Sequence, residues 1–351
     1  MHRRQFFTAT GWAALAAGLP FSQLMASTHE APVPAPPRLR KPAALREGAT
    51  VALVAPGSPI SEEKITKSLA NLAALGFAVK EGQHWRARLG YLAGTDAERV
   101  ADLHRAFADP EVEAVWCARG GYGCSRLLPL LDYDLIKRNP KVLIGYSDIT
   151  ALHLAIHQRT GLVTFHGPVA ASDYPENTLS HLKAALFEGK TPYALTMPAA
   201  DETLPGEEFR PFIITPGRAR GPLMGGNLAL LSALAGTPWA PSFRGKIAFI
   251  EDIGEQPYRL DRMLTQLLQA TDLAKATGIA LGVFSDCQPK GESPSLSLPD
   301  ALRDRLSGLG IPVAYGFPFG HVAHQATLPY GIEAEMDTEK GTLTLLEAGV
   351  R

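Results

Sequence analysis

The sequence has 351 residues, of which 46% are hydrophobic and 20% are charged, and this excludes a disordered or collagen-like chain and predicts about two domains or one large α/β unit. Its 34 lysines and arginines and 35 aspartates and glutamates give a formal net charge of −1, so we expect no nucleic-acid partner. Cys117, Cys124 and Cys287 form no C-x-x-C pair and predict buried thiols; a nucleophilic role for Cys117 or Cys124, which flank a glycine-rich turn, is the alternative.

Residues 1–30 predict an export signal. Arg3-Arg4 comes before two phenylalanines, and the residues that follow, up to Thr28, carry no charge; the pattern resembles a twin-arginine motif. The apolar stretch has about 14 residues, whereas a membrane-spanning helix needs about 20. We therefore expect export to the periplasm, cleavage near Ala26 and no membrane span in the mature chain; an uncleaved anchor or a buried N-terminal helix are the alternatives.

Residues 31–47 predict a tether between the signal and the folded part. Five prolines occur between Ala31 and Pro42, and the segment has no pattern that could form a core. Folding is therefore expected to start near Ala49.

Residues 48–189 predict an N-terminal α/β domain. The run from Thr50 to Pro56 is apolar and β-rich, and Glu62 to Leu75 places apolar residues at helical spacing before Gly76. Alternating strands and helices predict a flavodoxin- or Rossmann-like parallel sheet with helices on both faces. The further predicted elements of this domain are the strand Phe77–Lys80, the helix Asp96–Ala108, the strands Ala114–Ala118 and Lys141–Gly145, the helix Ile149–Gln158, the strand Val163–His166 and the helix Leu179–Phe187.

Residues 190–218 hold scattered prolines and acids without a period, which predicts a linker. Residues 219–351 then predict a second, smaller α/β domain, and we expect the active site at the interface of the two domains. The predicted elements of the second domain are the segment Gly226–Ala235, the strand Lys246–Ile250, the helix Tyr258–Ala270, the strand Gly278–Phe284, the helix Pro299–Leu306 and the strands Val313–Tyr315 and Thr342–Leu346.

Polar residues that directly follow strands are the candidates for a site, because ligands of parallel α/β sheets bind at the carboxyl ends of the strands. The first candidate is the glycine loop, Arg119-Gly-Gly-Tyr-Gly123. Its glycines let the backbone approach a ligand, and Arg119 supplies a cation that could bind the free carboxylate of a substrate. A tight structural turn explains the glycines equally well.

The second candidate is Ser147, which lies between a predicted strand and a predicted helix in Gly145-Tyr-Ser-Asp148. A nucleophile elbow holds its serine at such a position, with the following N–H ready to stabilise an oxyanion. An ordinary helix N-cap is the alternative, since serine and aspartate both favour that position.

The third and fourth candidates come from the second domain. Glu251-Asp-Ile-Gly-Glu255 follows a predicted strand and is either solvated loop charge or a source of a catalytic carboxylate. His321 follows a glycine after another strand, and its imidazole could act as a base near neutral pH. His166 and His324 rank below His321. A serine, a glutamate and a histidine in this order are what a serine hydrolase needs, although the serine motif is not Gly-x-Ser-x-Gly.

Five groups of residues form a linked set: Ala118-Arg-Gly-Gly-Tyr-Gly123 with Arg126-Leu-Leu and Leu131-Asp-Tyr133, Ile144-Gly-Tyr-Ser-Asp-Ile-Thr-Ala-Leu152, Gly225-Gly-Asn-Leu228, Glu251-Asp with Glu255 and Tyr258-Arg-Leu-Asp-Arg262, and Gly320-His321 with Thr327-Leu-Pro329. From about Val51 to Leu346 this set resembles the LD-carboxypeptidase family, which includes the microcin C self-immunity proteins.

The resemblance implies a two-domain serine peptidase, often a homodimer, that removes the terminal D-alanine from the tetrapeptide of peptidoglycan. We expect no cofactor, and no metal either, because the acidic residues near Glu251 lack a matching pair of histidines. It implies Ser147 as the nucleophile, Glu251 as the triad carboxylate and His321 as the general base. It also implies that the amides of Asp148 and Gly121 form the oxyanion hole.

Two other functions stay open on the sequence. A microcin-type hydrolase of a peptidyl or aminoacyl nucleotide would need aromatic side chains to stack on a base, for which Trp85, Trp116 and Trp239 are the candidates. An exported bilobal solute-binding protein would also have a signal, two α/β halves and a cleft, but it would need no serine–imidazole pair.

Overall fold

Two β-sheets with helices on their faces make up the fold in the computed structural model, which describes residues 38–199, 206–291 and 293–351. The predicted export signal and residues 31–37 of the predicted tether lie outside the described residues. The expectation of a tether is wrong for residues 38–47, because Leu45 is buried in a hydrophobic core and its amide donates a 2.8 Å hydrogen bond to the carbonyl of Leu186. No helix in these described ranges is long and apolar enough to cross a membrane.

The first sheet has six strands, and five of them run parallel. These are β1 (Thr50–Val54), β2 (Ala78–Glu81), β3 (Ala114–Cys117), β4 (Val142–Gly145) and β5 (Phe165–His166), and the sixth, from the C-terminal half, is β12 (Leu328–Pro329). The spatial order is β12-β5-β4-β3-β1-β2, with β12 antiparallel to β5. β3 and β4 are buried along their whole length and β1 at every residue but Thr50, as expected for a parallel sheet covered on both faces.

Five helices cover the first sheet: α1 (Glu62–Ala74), α2 (Asp96–Ala108), α3 (Tyr133–Arg138), α4 (Thr150–Thr160) and α5 (Glu176–Lys183). Helix α2 has the predicted bounds because Thr95 and Glu98 form a capping box at its start. Every residue from Thr150 to Ile156 in α4 is buried. A helix that is covered all round belongs to the interior, and α4 contacts elements of both sheets.

The second sheet has eight strands, in the order β6-β14-β13-β8-β9-β10-β11-β7. Its centre is parallel, and β6, β7, β13 and β14 pair antiparallel at its two sides. The bounds are β6 (Tyr193–Thr196), β7 (Phe212–Thr215), β8 (Arg218–Asn227), β9 (Ile247–Ile253), β10 (Gly278–Ser285), β11 (Val313–Gly320), β13 (Glu333–Asp337) and β14 (Thr342–Leu345). The helices are α6 (Leu228–Leu234), α7 (Pro257–Ala270) and α8 (Leu298–Leu306).

The structure corrects two sequence expectations in this half. Residues 190–218 were expected to be a linker, but they contain β6 and β7, which are edge strands too short and too exposed to show a period. β8 was not predicted as a strand because glycines and a proline interrupt its apolar residues. Gly225 explains that composition, since a Cβ atom there would lie 1.7 Å from the carbonyl oxygen of Phe249 on β9.

Candidate active site

Ser147 lies at a strained turn directly after β4. Its φ angle is +64°, a value that non-glycine residues rarely adopt. The short 3₁₀ turn Ser147–Ile149 and then α4 follow at once, and the N-cap of that turn is Tyr146 rather than Ser147. This strand–serine–helix geometry is that of a nucleophile elbow, and backbone strain of this kind is retained where the surrounding structure enforces it.

The glycine loop packs backbone to backbone against this elbow. A Cβ atom on Gly120 would lie 3.0 Å from Cβ of Ser147 and 3.1 Å from the amide nitrogen of Asp148. Gly121 has a φ of +99°, and a Cβ atom there would lie 2.4 Å from the side chain of Ser58. Gly120 therefore allows the loop to approach the elbow, and Gly121 allows it to approach Ser58, more closely than a larger residue could without a shift of the backbone.

Asp148 ties the glycine loop to the elbow through its side chain. Its carboxylate is buried and accepts a 2.9 Å hydrogen bond from the backbone amide of Cys124. Burial raises the pKa of Asp148, while the amide hydrogen bonds of Cys124 and Gly123 oppose the rise. Its own amide lies in the first turn of a helix, where N–H groups have no partner within the helix.

The second sheet supplies a buried carboxylate–imidazole pair. Oε2 of Glu251 lies 2.7 Å from Nδ1 of His321, and the exposed side-chain fractions are 0% for Glu251 and 14% for His321. Burial alone would lower the pKa of His321, but the charge and the hydrogen bond of Glu251 outweigh burial and raise it. Burial opposes ionisation of Glu251 too, and the attraction of His321 still holds its pKa below the usual value.

The expectation of solvated loop charge at Glu251 is wrong. β9 continues to Ile253, so Glu251 and Asp252 both belong to the strand and both are buried. Asp252 accepts hydrogen bonds from Nδ2 of Asn227 at 2.9 Å and from the amide of Ala229 at 3.0 Å. Burial and the neighbouring charge of Glu251 raise the pKa of Asp252 to about 7.

Tyr146 brings the two parts of the site together. Its ring centroid lies 4.8 Å from that of His321 in an edge-on arrangement, so the residue before Ser147 contacts the imidazole of the pair. Burial raises the pKa of Tyr146. Sequence reasoning did not single out Tyr146, although its place beside the candidate serine was a signal.

The remaining candidates have different surroundings. Arg119 is half-buried, and one of its N–H groups donates a 3.0 Å hydrogen bond to the carbonyl of Pro59. Within the part of the chain that the structure covers, Arg119 makes no ion pair, so its other donors can receive an anion. Cys117, Cys124 and Cys287 are buried free thiols, as predicted. No cluster of three or more possible metal ligands occurs among the described residues.

The fold is α/β, and comparison with known proteins identifies the class as a serine peptidase. A model of the LD-carboxypeptidase N-terminal domain matches residues 51–167, and a model of the LD-carboxypeptidase C-terminal domain matches residues 220–336. The chain therefore belongs to the LD-carboxypeptidase family.

Relatives cover most of the chain. It is 44% identical over 314 residues to the probable murein peptide carboxypeptidase of Bacillus subtilis, covering 88% of this chain and 95% of the relative. It is 38% identical over 296 residues to the murein tetrapeptide carboxypeptidase of Pseudomonas aeruginosa, covering 82% and 92%. The solved structure of MccF in complex with glutamyl sulfamoyl guanosine is similar with a TM-score of 0.79 at 27% identity, covering 89% of this chain and 99% of that chain.

Proposed function

We propose that this carboxypeptidase hydrolyses the LD bond that releases the terminal D-alanine from the peptidoglycan tetrapeptide. The observation that carries the proposal is the buried 2.7 Å pair of Glu251 and His321, whose imidazole packs against Tyr146 beside the strained Ser147. The names of the relatives from B. subtilis and P. aeruginosa support murein peptide as the substrate. In this proposal Ser147, His321 and Glu251 form the catalytic triad.

The chemistry follows from the hydrogen bond within the pair. Because Nδ1 of His321 donates to Glu251, the other ring nitrogen, Nε2, is left as the base. Nε2 takes the proton of the Ser147 hydroxyl as Oγ attacks the scissile carbonyl carbon. The N–H groups of Asp148 and Gly121 stabilise the resulting oxyanion.

The second half of the reaction regenerates the enzyme. Protonated His321 passes its proton to the amine of the leaving D-alanine as the peptide bond breaks, and the peptide stays on Ser147 as an ester. Water then attacks the ester, with His321 as the base, and releases the tripeptide. The buried Glu251 stabilises the imidazolium in both steps, which is the role of the carboxylate in a triad.

Arg119 is proposed to bind the carboxylate of the terminal D-alanine. It lies on the glycine loop beside the elbow, and only one of its guanidinium N–H groups donates to the carbonyl of Pro59 among the described contacts. We expect Arg119→Met to raise KM about 10- to 100-fold for the tetrapeptide, because a charge-assisted hydrogen bond is lost, and to change KM little for the tetrapeptide amide. An equal rise in KM for both substrates would contradict this role.

The structure weakens the nucleotide alternative at the residues on which it depended. Trp85 and Trp116 are core residues with 2% and 0% exposure. Trp239 packs against the main hydrophobic core. Trp85 and Trp116 therefore offer no free ring face to a base, and only the half-buried Trp239 is left for that role, which favours the peptide substrate. The solute-binding alternative does not agree with membership in a peptidase family.

The direct test is incubation with L-Ala-γ-D-Glu-diaminopimelate-D-Ala, followed by mass spectrometry. We expect the parent chain to release one alanine and Ser147→Ala to release about 10⁴-fold less or none. Release by both proteins at the same rate would contradict the role of Ser147. No release by the parent would contradict the substrate, and a panel of peptidyl nucleotides would then test the microcin-type activity.

We further propose that residues 1–30 direct export to the periplasm and that the chain acts as a homodimer. The Arg3-Arg4 motif and the short apolar stretch support export, and the family resemblance supports the dimer. Mass spectrometry of the periplasmic protein should find a chain without its first 26 residues or so, and replacing both arginines by lysine should leave the precursor inside the cell. Light scattering should give twice the mass of one chain, whereas a single-chain mass would contradict the dimer.

A further inference from the structure

His166, the last residue of β5, lies beneath the Glu251–His321 pair. Its side chain is completely buried. Its ring centroid lies 6.0 Å from that of Tyr146, 5.5 Å from that of Phe249 and 6.4 Å from that of Phe319. Three aromatic rings thus surround an imidazole that the mechanism has not used.

These neighbours place His166 one layer below the catalytic pair. Phe249 precedes Glu251 by two residues in β9, and side chains two apart on a strand share a face. Phe319 belongs to β11, which ends at Gly320, one residue before His321. Tyr146 contacts the rings of both histidines, so His166 approaches the pair from the interior.

This layer contains a buried hydrogen-bond donor and a buried acceptor that lack partners. Among the described residues, neither ring nitrogen of His166 has a hydrogen-bond partner, and neither has Oε1 of Glu251, although all three atoms are buried. Buried polar groups in proteins are nearly always hydrogen-bonded, to protein or to water. Burial lowers the pKa of His166 to about 4, so at neutral pH its ring is uncharged and carries one N–H donor. Oε1 of Glu251 is an acceptor; the side chain of Asn227 also lowers the pKa of Glu251, but its amide group donates its 2.9 Å hydrogen bond to Asp252.

We propose that His166 is a positioning residue that donates its N–H to Oε1 of Glu251, directly or through one buried water, and so keeps the carboxylate aimed at His321. A water can bridge two such groups at little energetic cost. This inference rests on the proposed function, because it assigns His166 a role in the same triad. Each carboxylate oxygen of Glu251 then accepts a hydrogen bond: Oε2 from His321, and Oε1 from His166 or from the bridging water.

The charges around the pair determine the sign of the expected effect. A donor at Oε1 stabilises the state in which the pair has lost its proton and carries a net negative charge. Removing the donor therefore raises the apparent pKa of the pair and moves the acid limb of the pH–rate profile to higher pH. The other titratable groups that face the cluster are Tyr146, His153, Asp252 and Tyr330.

The test compares His166→Phe, which keeps a ring but has no donor, with His166→Gln, which keeps an N–H donor. We expect kcat of His166→Phe to fall about 10- to 100-fold, the effect of losing one hydrogen bond to a charged group, with KM within about twofold. The acid limb should shift to higher pH. His166→Gln should recover most of kcat and the parent profile.

A double-mutant cycle and a control separate positioning from packing. In a Glu251→Gln background, His166→Phe should lower kcat by much less than in the parent, because the acceptor charge has gone. His157→Phe changes another mostly buried neutral histidine, and it should lower Tm without moving the acid limb. A His166→Phe variant with the parent kcat and acid limb would overturn the inference, as would an equal loss of kcat in both backgrounds.

A measurement that needs no catalytic turnover tests the inference even when the activity of the variants is too low to measure. In Ser147→Ala, NMR of the His321 ring should give a higher apparent pKa once His166→Phe is added, and an unchanged pKa would overturn the inference. If the parent chain releases no alanine, the proposed function fails. If the parent is active and this pKa does not move, only the role of His166 fails.

Discussion

Ser147 and Glu251 both lie at the carboxyl ends of parallel strands, but different structural features determine their environments in the two sheets. Around Ser147 the backbone determines the geometry: Ser147 has a φ of +64°, Gly120 lies against the elbow, Gly121 lies against Ser58, and the carboxylate of Asp148 accepts a hydrogen bond from the amide that follows the glycine loop. Around Glu251 the backbone is an ordinary strand, and burial together with one imidazole defines the environment.

This difference shows which forces each half of the site depends on. The nucleophile half depends on close backbone packing, so small steric changes should disturb it. The charged half depends on electrostatics in a low-dielectric interior, where a buried carboxylate is costly unless it is paired. Substitutions that change only charge, or only size, should therefore act on one half at a time.

The largest effect is expected from a charge change in the second half. Glu251→Gln keeps the size of the side chain but offers an amide to Nδ1 of His321, so the imidazole loses its orientation and its counter-charge. We expect kcat to fall about 10³- to 10⁴-fold, with KM nearly unchanged. Steady-state kinetics on the tetrapeptide measures this. Asp252→Asn is the matched control, because Asp252 is a neighbouring buried acid, and equal losses in the two variants would contradict the special role of Glu251.

A smaller effect is expected from a size change in the first half. In Gly121→Ala the new Cβ would lie 2.4 Å from Ser58 at a φ of +99°, so the loop must move and its amide must leave the oxyanion. We expect kcat to fall about 10²-fold, as for the loss of one oxyanion donor. Gly90→Ala is the control: its φ is +59°, but nothing lies within 4 Å of the added Cβ. It should cost about 1 kcal/mol of stability and no activity; a loss of kcat in the control would contradict the steric argument.

The smallest effect is the pH dependence, which separates activity from stability. His321 must be neutral to act as a base, and its pKa is raised above 6.5, so kcat/KM should fall as pH drops through a value above 6.5. In Glu251→Gln the residual activity should persist to lower pH, because burial alone lowers the pKa of His321. An acid limb that is the same in both proteins would contradict the pairing.

The contribution of His321 to folding stability should change with pH in the opposite direction to the activity. The raised pKa of His321 stabilises the fold below its unfolded value of 6.5, and the gain is lost as pH rises through the folded pKa. The lowered pKa of Glu251 contributes above 4.5 and is lost as pH falls through the folded pKa. The Tm difference between the parent and His321→Gln should therefore be largest between these two values. A difference that is constant with pH would contradict the ion pair.

Local signals account for the parts of the fold that could be predicted. Helix α2 has its predicted bounds, and the capping box that fixes its start is formed by Thr95 and Glu98, which are close neighbours in the sequence. The edge strands β6 and β7 could not be predicted, because they are strands only through their pairing with β14 and β11, far away in the chain. β8 was missed for a different reason: glycines and a proline interrupt its apolar residues, and the close approach of β9 requires Gly225 there.

In the site too, the residues that could be predicted are those with a local signal in the sequence. Ser147, Glu251 and His321 were found because each follows or ends an apolar run, and the structure brings Glu251 and His321 together. The complete burial of Glu251 could not be predicted, because it depends on how far β9 extends and on what covers it. Tyr146 and the site role proposed for His166 were missed because only the assembled sheets bring their rings against His321 and Phe249.

The most direct measurement is covalent labelling of the full chain with a serine-directed fluorophosphonate, followed by peptide mapping. If one sheet provides the nucleophile and the other provides its base, the label must be found on Ser147, and the labelling rate must fall about 10³-fold or more in His321→Ala and in Glu251→Gln. A label on another serine, or labelling of Ser147 at the parent rate in both variants, would contradict a triad assembled from the two sheets.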